Sequence, residues 1–135
     1  MRKRHAVLLG YIAAFSIATV CHGLDIARGG WWPYRQYALG LNVFWTALTF
    51  ADPLAIALLL YRRRVGLCLA LFIITVDVAV NLSVGIGEYL HSGRFTFWGL
   101  YTQIPAGVFM WSTASILWAE TKIGERLPGM IGENG

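Results

Sequence analysis

The chain has 135 residues, 57% of them hydrophobic and 13% charged, where a soluble domain carries about 25% charge. With a mean hydropathy of +0.58, a single domain over residues 1–135 has no soluble core able to hide so much apolar surface. The net charge of +4 does not signal a nucleic-acid partner, because the basic residues stand in short clusters between apolar runs rather than along one stripe.

The first apolar run, about 6–24, follows Arg2, Lys3 and Arg4. It has the basic start of a signal peptide, but Val20 before Cys21 is too bulky for a lipoprotein box, so it reads as an uncleaved anchor. Gly10, Ala14 and Ala18 form a small-residue stripe of the kind that lets helices pack closely. Near the outer end His22 and Asp25 fall three apart on one face. A loop over about 25–36 follows, rich in aromatics (Trp31, Trp32, Tyr34), which reads as an interfacial belt or as a lid over an outward-facing cavity.

The second run, about 37–61, places Asn42, Thr46, Thr49 and Asp52 at helical intervals along one face. Pro53 withholds the amide that the Thr49 carbonyl would otherwise accept. The turn Arg62, Arg63, Arg64 forces a hairpin with the third run, about 65–89, where Asp77, Asn81 and Glu88 share a face. A second aromatic loop, about 90–98, holds Phe95, Phe97 and Trp98. The fourth run, about 99–119, carries Gln103, Pro105 and Ser112, and the glycine-rich tail 124–135 is expected to be mobile.

Each run is long enough to cross a hydrocarbon core of ~30 Å at ~1.5 Å per residue. Lipid offers backbone amides no partner, so each crossing must be helical. The fold class expected is therefore all-α: a polytopic membrane protein, a four-helix transmembrane bundle. Eight basic residues fall on one side of it and three (Arg28, Arg35, Arg94) on the other. The positive-inside rule then places both termini in the cytoplasm.

An ionisable group at the bilayer centre costs roughly 2.5–3.5 kcal/mol even on gentle scales, so Asp52 and Asp77 must point inward to a shared polar interior. The strong polar groups all lie from mid-membrane outward, which describes a pocket closed on the cytoplasmic side. The candidate ligand-binding set is Asp52 and Asp77 for charge, Asn42, Asn81 and Gln103 for orientation, and His22, Asp25 and Glu88 nearer the surface. Trp45 and Trp111 would be apolar walls with cation–π capacity. The three histidines fall in separate segments and the two cysteines near opposite ends of their spans, so neither a metal centre nor a disulfide is expected, and Cys21 and Cys68 should be free thiols that pack. No nucleophile elbow or phosphate loop is present, no catalytic residue or cofactor is assigned, and the reading leans away from an enzyme.

The residues His22-Gly-Leu-Asp25, Pro33-Tyr34, Asp52-Pro53, Asp77, Tyr101 and Pro105, taken over most of the chain, resemble the four-helix membrane fold of the emopamil-binding sterol isomerases and the sigma-2 receptor. That resemblance implies cytoplasmic termini and a pocket for hydrophobic amines or sterols lined by acidic residues. With no histidine expected deep in the bundle, it implies ligand binding rather than isomerisation. Partners expected are the lipid bilayer, a small amphipathic, cationic or sterol-like ligand, and a further copy of the chain as a homo-oligomer. The same mid-membrane carboxylates also suit a proton- or ion-coupled transporter. A structural or assembly subunit, its acids serving only to lock helices together, is the third role they fit.

Overall fold

A computed structural model describes residues 2–95 and 99–126, with side chains described as far as residue 119. Phe97, Trp98 and the tail from 127 onward lie outside the described residues. Four helices follow one another: α1 (Arg2–Gly29), α2 (Leu39–Tyr61), α3 (Arg63–Ser92) and α4 (Leu100–Arg126). At ~1.5 Å per residue they are roughly 35–45 Å long.

Their ends follow local chemistry. Gly30 (φ 72°) and Gly93 (φ 66°) adopt the left-handed conformation that ends a helix, and each turns its amide back to a carbonyl four residues earlier, Ile26 and Tyr89. Nothing between 25 and 29 interrupts a helix, so α1 runs past the expected end near 24 and carries Asp25 and Arg28 as helical residues. The turn between α2 and α3 shrinks to Arg62 alone, which leaves Arg63 and Arg64 in the first turn of α3. It can be so tight because Gly66 lies against the backbone of α2: an added Cβ there would come within 2.2 Å of the Leu59 nitrogen. Contrary to expectation, 124–126 are helical, since no proline intervenes before Pro128.

Each helix packs against its chain neighbours, and α1 meets α4 to close the ring, the least extensive of the four seams. The pairings fix direction. Trp45 meets Asn81 and Leu59 meets Gly66 across α2 and α3, Asn81 meets Gln103 across α3 and α4, and Tyr11 meets Met110 across α1 and α4. All are antiparallel, so residue 2, Arg62 and residue 126 lie at one end of the bundle, and segments 30–38 and 93–99 at the other.

Among the described residues the core at the Arg62 end is apolar, filled by Val7, Ala55, Leu59, Leu67, Ala70 and Leu117, and the buried polar residues, Asn42, Asp52, Asp77 and Asn81, lie at mid-bundle or beyond. The outside is apolar as well: Leu9, Ile17, Phe50, Phe72 and Val108 are all exposed. An apolar coat on that scale belongs in lipid rather than water. By length and composition α1, α2 and α3 can each cross a membrane.

Candidate functional site

The polar faces of the four helices enclose a cavity of about 680 Å³ in the half of the bundle away from Arg62. Small side chains make the room: Ala14 and Ala18 on α1 and Ala106 on α4 line it. The stripe of small residues therefore divides its work. Gly10 packs against the Phe109 ring, where an added Cβ would come within 2.7 Å, and the two alanines further along leave space instead. The Tyr11 hydroxyl donates to the Met110 carbonyl and ties α1 to α4 at that narrow end.

Asp52 and Asp77 both line this cavity. The hairpin register puts Ile74 opposite Asp52 and Thr49 opposite Asp77, so the two carboxylates are offset by about three residues, ~4.5 Å along the axis. Their surroundings differ. Asp77 accepts from the Asn81 amide at 2.9 Å. Asp52 is only 2% exposed, and its Oδ2 has no hydrogen-bond partner, nor has the neighbouring Thr49 hydroxyl. A bare buried carboxylate oxygen is costly, so this group is poised to take a donor.

Asn81 is the hub of a network that holds the acids in place. Its amide donates to Asp77 and, at 2.8 Å, to the Gln103 carbonyl on α4, and its own carbonyl accepts from the Trp45 indole of α2 at 2.7 Å. Trp45 is in turn packed edge-on by Tyr34 and Tyr37, with ring centroids 5.1 and 5.0 Å away.

At the far rim Tyr34 bridges two elements. Its hydroxyl donates to Asp25 Oδ2 at 2.7 Å and lies 3.1 Å from His22 Nδ1. The hydroxyl proton being committed to Asp25, Tyr34 must accept from His22 Nδ1–H, which in the neutral ring leaves Nε2 as an acceptor. Burial and the adjacent Asp25 carboxylate both raise the Tyr34 phenol, so it stays a neutral donor. Tyr37 behaves alike: its hydroxyl donates to Glu88 at 2.9 Å, and burial, then Glu88, raise it.

Of the residues singled out in the sequence, His22, Asp25, Trp45, Asp52, Asp77, Asn81 and Gln103 line the cavity together. Three lie outside its lining. Asn42 is buried and spends its carbonyl on the Tyr34 amide and the Thr46 hydroxyl, both at 3.3 Å. Glu88 sits behind Tyr37. Trp111 is 58% exposed on the outer surface, where its indole donates to Thr75. Ser112, near the middle of the fourth run, is exposed and bonds back to the Phe109 carbonyl. Cys21 and Cys68 are free but exposed rather than packed.

The lining also includes Phe15, Tyr37 and Met110, which sequence reasoning did not assign to a site, and Tyr34, read there as part of an aromatic belt or lid. A signal existed for Met110. It stands seven residues, close to two turns, after Gln103 and so shares its face, whereas Trp111 is turned well away. Among the described residues no group of acidic, histidine or cysteine side chains could hold a metal ion. No protein-family model matches the chain, and no curated protein or solved structure matches it.

Proposed function

We propose that the chain is a four-span integral membrane protein, with both termini cytoplasmic, that binds a small amphipathic cation or sterol-like molecule in this cavity. The unpartnered Oδ2 of Asp52 carries the reading. A protonated amine there would give the carboxylate both a hydrogen bond and a countercharge in a low-dielectric site. Phe15, Ile73, Ile74 and Met110 supply the apolar wall that the rest of such a molecule needs, and the Trp45 ring offers cation–π contact. The cavity lies within the usual range for drug-sized ligands, ~300–1,000 Å³.

Orientation rests on the distribution of basic residues, and α4, 27 residues long and antiparallel to α3, supplies the fourth crossing. The resemblance to the emopamil-binding fold points to the same ligand class. The apolar core described at the Arg62 end favours a closed receptor over a through-path for ions, and an open cavity of this size is more than helix-locking acids require.

The test is thermal melting in detergent against a panel of amphipathic amines and sterols. At least one amine should raise the Tm of the wild-type chain, and Asp52→Asn should weaken its binding by about 10- to 100-fold, the worth of a charged hydrogen bond. A flat profile across the panel, or amine binding untouched by both Asp52→Asn and Asp77→Asn, would overturn the reading.

A further inference from the structure

The cavity is acidic at two depths. Among the described residues Asp25, Asp52 and Asp77 line it and no lysine or arginine does. Arg28, one turn beyond Asp25, is exposed and lies outside the lining. Asp52 and Asp77 hold the floor, whereas Asp25 is at the rim. Its partner Tyr34 packs edge-on against Trp45, which stands seven residues, ~10 Å along α2, from Asp52. On α1 Asp25 lies fourteen residues, ~20 Å, beyond Tyr11, the residue tied to Met110 at the narrow end. The two acidic poles are therefore ~10–20 Å apart. Between them the α1 wall is hydrocarbon from Phe15 through Ile17 to Ala18, which shares the face of Asp25 two turns away.

The rim has acceptors to offer. Tyr34 takes Oδ2 of Asp25, and a carboxylate accepts on both of its oxygens. His22, three residues earlier on the same face, presents Nε2 beside it, its Nδ1 being turned to Tyr34. A single ammonium seated at Asp52 leaves this second pole without a countercharge, and a sterol hydroxyl brings charge to neither. We infer that the ligand carries two cationic groups joined by a hydrocarbon chain, one ammonium at Asp52 and Asp77 and the other at Asp25 and His22. The inference rests on the amine reading of the cavity and adds to it the second charge and the spacing. A diamine of about twelve carbons spans ~15 Å between its nitrogens at ~1.2 Å per bond, and so reaches from floor to rim. One of about four carbons spans only ~6 Å and does not.

The experiment measures, on the full chain in detergent, the affinities of the long diamine, the short diamine, and the long chain bearing one amine or an amine and a terminal hydroxyl. Asp25→Asn removes the rim charge and keeps an acceptor for Tyr34. It should weaken the long diamine by ~10-fold or more, the worth of one charged hydrogen bond, and leave the short diamine and the monoamine unchanged. Asp52→Asn should weaken all of them. In the wild-type chain, where no variant has to fold, the long diamine should bind ~10-fold more tightly than the amino alcohol of equal length. A long diamine indifferent to Asp25→Asn, or an amino alcohol that binds as tightly, would overturn the second pole. Monoamine binding would then leave the cavity reading standing, whereas the failure of every amine to bind would sink both.

Discussion

Asn81 joins three helices through one amide, and its removal should be felt as lost stability before lost binding. Asn81→Leu takes an acceptor from the Trp45 indole and a donor from both the Gln103 carbonyl and one oxygen of Asp77. The expected cost is about 1–3 kcal/mol, held down because membrane bundles find substitute partners, and it would read as a lower Tm in detergent without ligand. Tyr34 makes a prediction in pH. Its folded phenol titrates above the ordinary value of 10.0, so below pH 10 both folded and unfolded states are protonated and its contribution is complete. Above pH 10 the unfolded chain loses the proton first, and stability falls as pH rises. A melting series from neutral to strongly alkaline pH should show this decline in the wild type and a shallower one in Tyr34→Phe. Much at this scale was legible in the sequence. Asn42 and Asp52 were grouped on one face of α2, and Asp77 and Asn81 on one face of α3, by their helical spacing, and the cost of a carboxylate in lipid turned those faces inward. Aromatic side chains carry no such prohibition, so Trp45 and Trp111 looked equivalent although one is a cavity wall and the other faces outward.

Among the helices, glycine positions separate packing from tolerance. At Gly66 the nearest atoms to an added Cβ are backbone atoms of Leu58 and Leu59, which cannot yield. Gly66→Ala should therefore cost about 1–3 kcal/mol or more through overpacking and splay the hairpin. Gly23, inside α1, has nothing within 4 Å of the added atom, so Gly23→Ala should be neutral or stabilise by about 0.5–1 kcal/mol. Comparing the two melting temperatures checks the packing of α2 on α3 directly. The element count could be read from hydropathy, but the boundaries could not. Hydropathy marks where a chain may lie in lipid; α1 and α3 stop where Gly30 and Gly93 reverse the backbone, while α2 and α4 run on through Pro53 and Pro105. The loop expected from about 25 was thus begun too early, and Asp25, on one face with His22, is the helical partner of Tyr34.

For the whole molecule, the antiparallel ring and the basic residues together predict sidedness. In a background with Cys21→Ala and Cys68→Ala, an impermeant thiol reagent should label Gln36→Cys on intact cells and Arg62→Cys only after permeabilisation. Labelling of both from one side would contradict an even number of crossings with cytoplasmic termini. That the buried polar side chains described lie away from the Arg62 end was visible from the order of side chains along each run. The cavity itself was not, because its volume depends on where alanines of α1 and α4 oppose one another, and no single helix reveals that.

The joint between α1 and α4 is stitched at one end, where Tyr11 meets Met110 and Phe109 seats on Gly10. Toward the rim the void lies between them, flanked by Ala18 and Ala106. Stiffness is therefore graded along the joint, greatest at the sewn end and least at the rim. On the proposed reading a ligand would enter by bending the rim, away from the floor on which Asp52 sits.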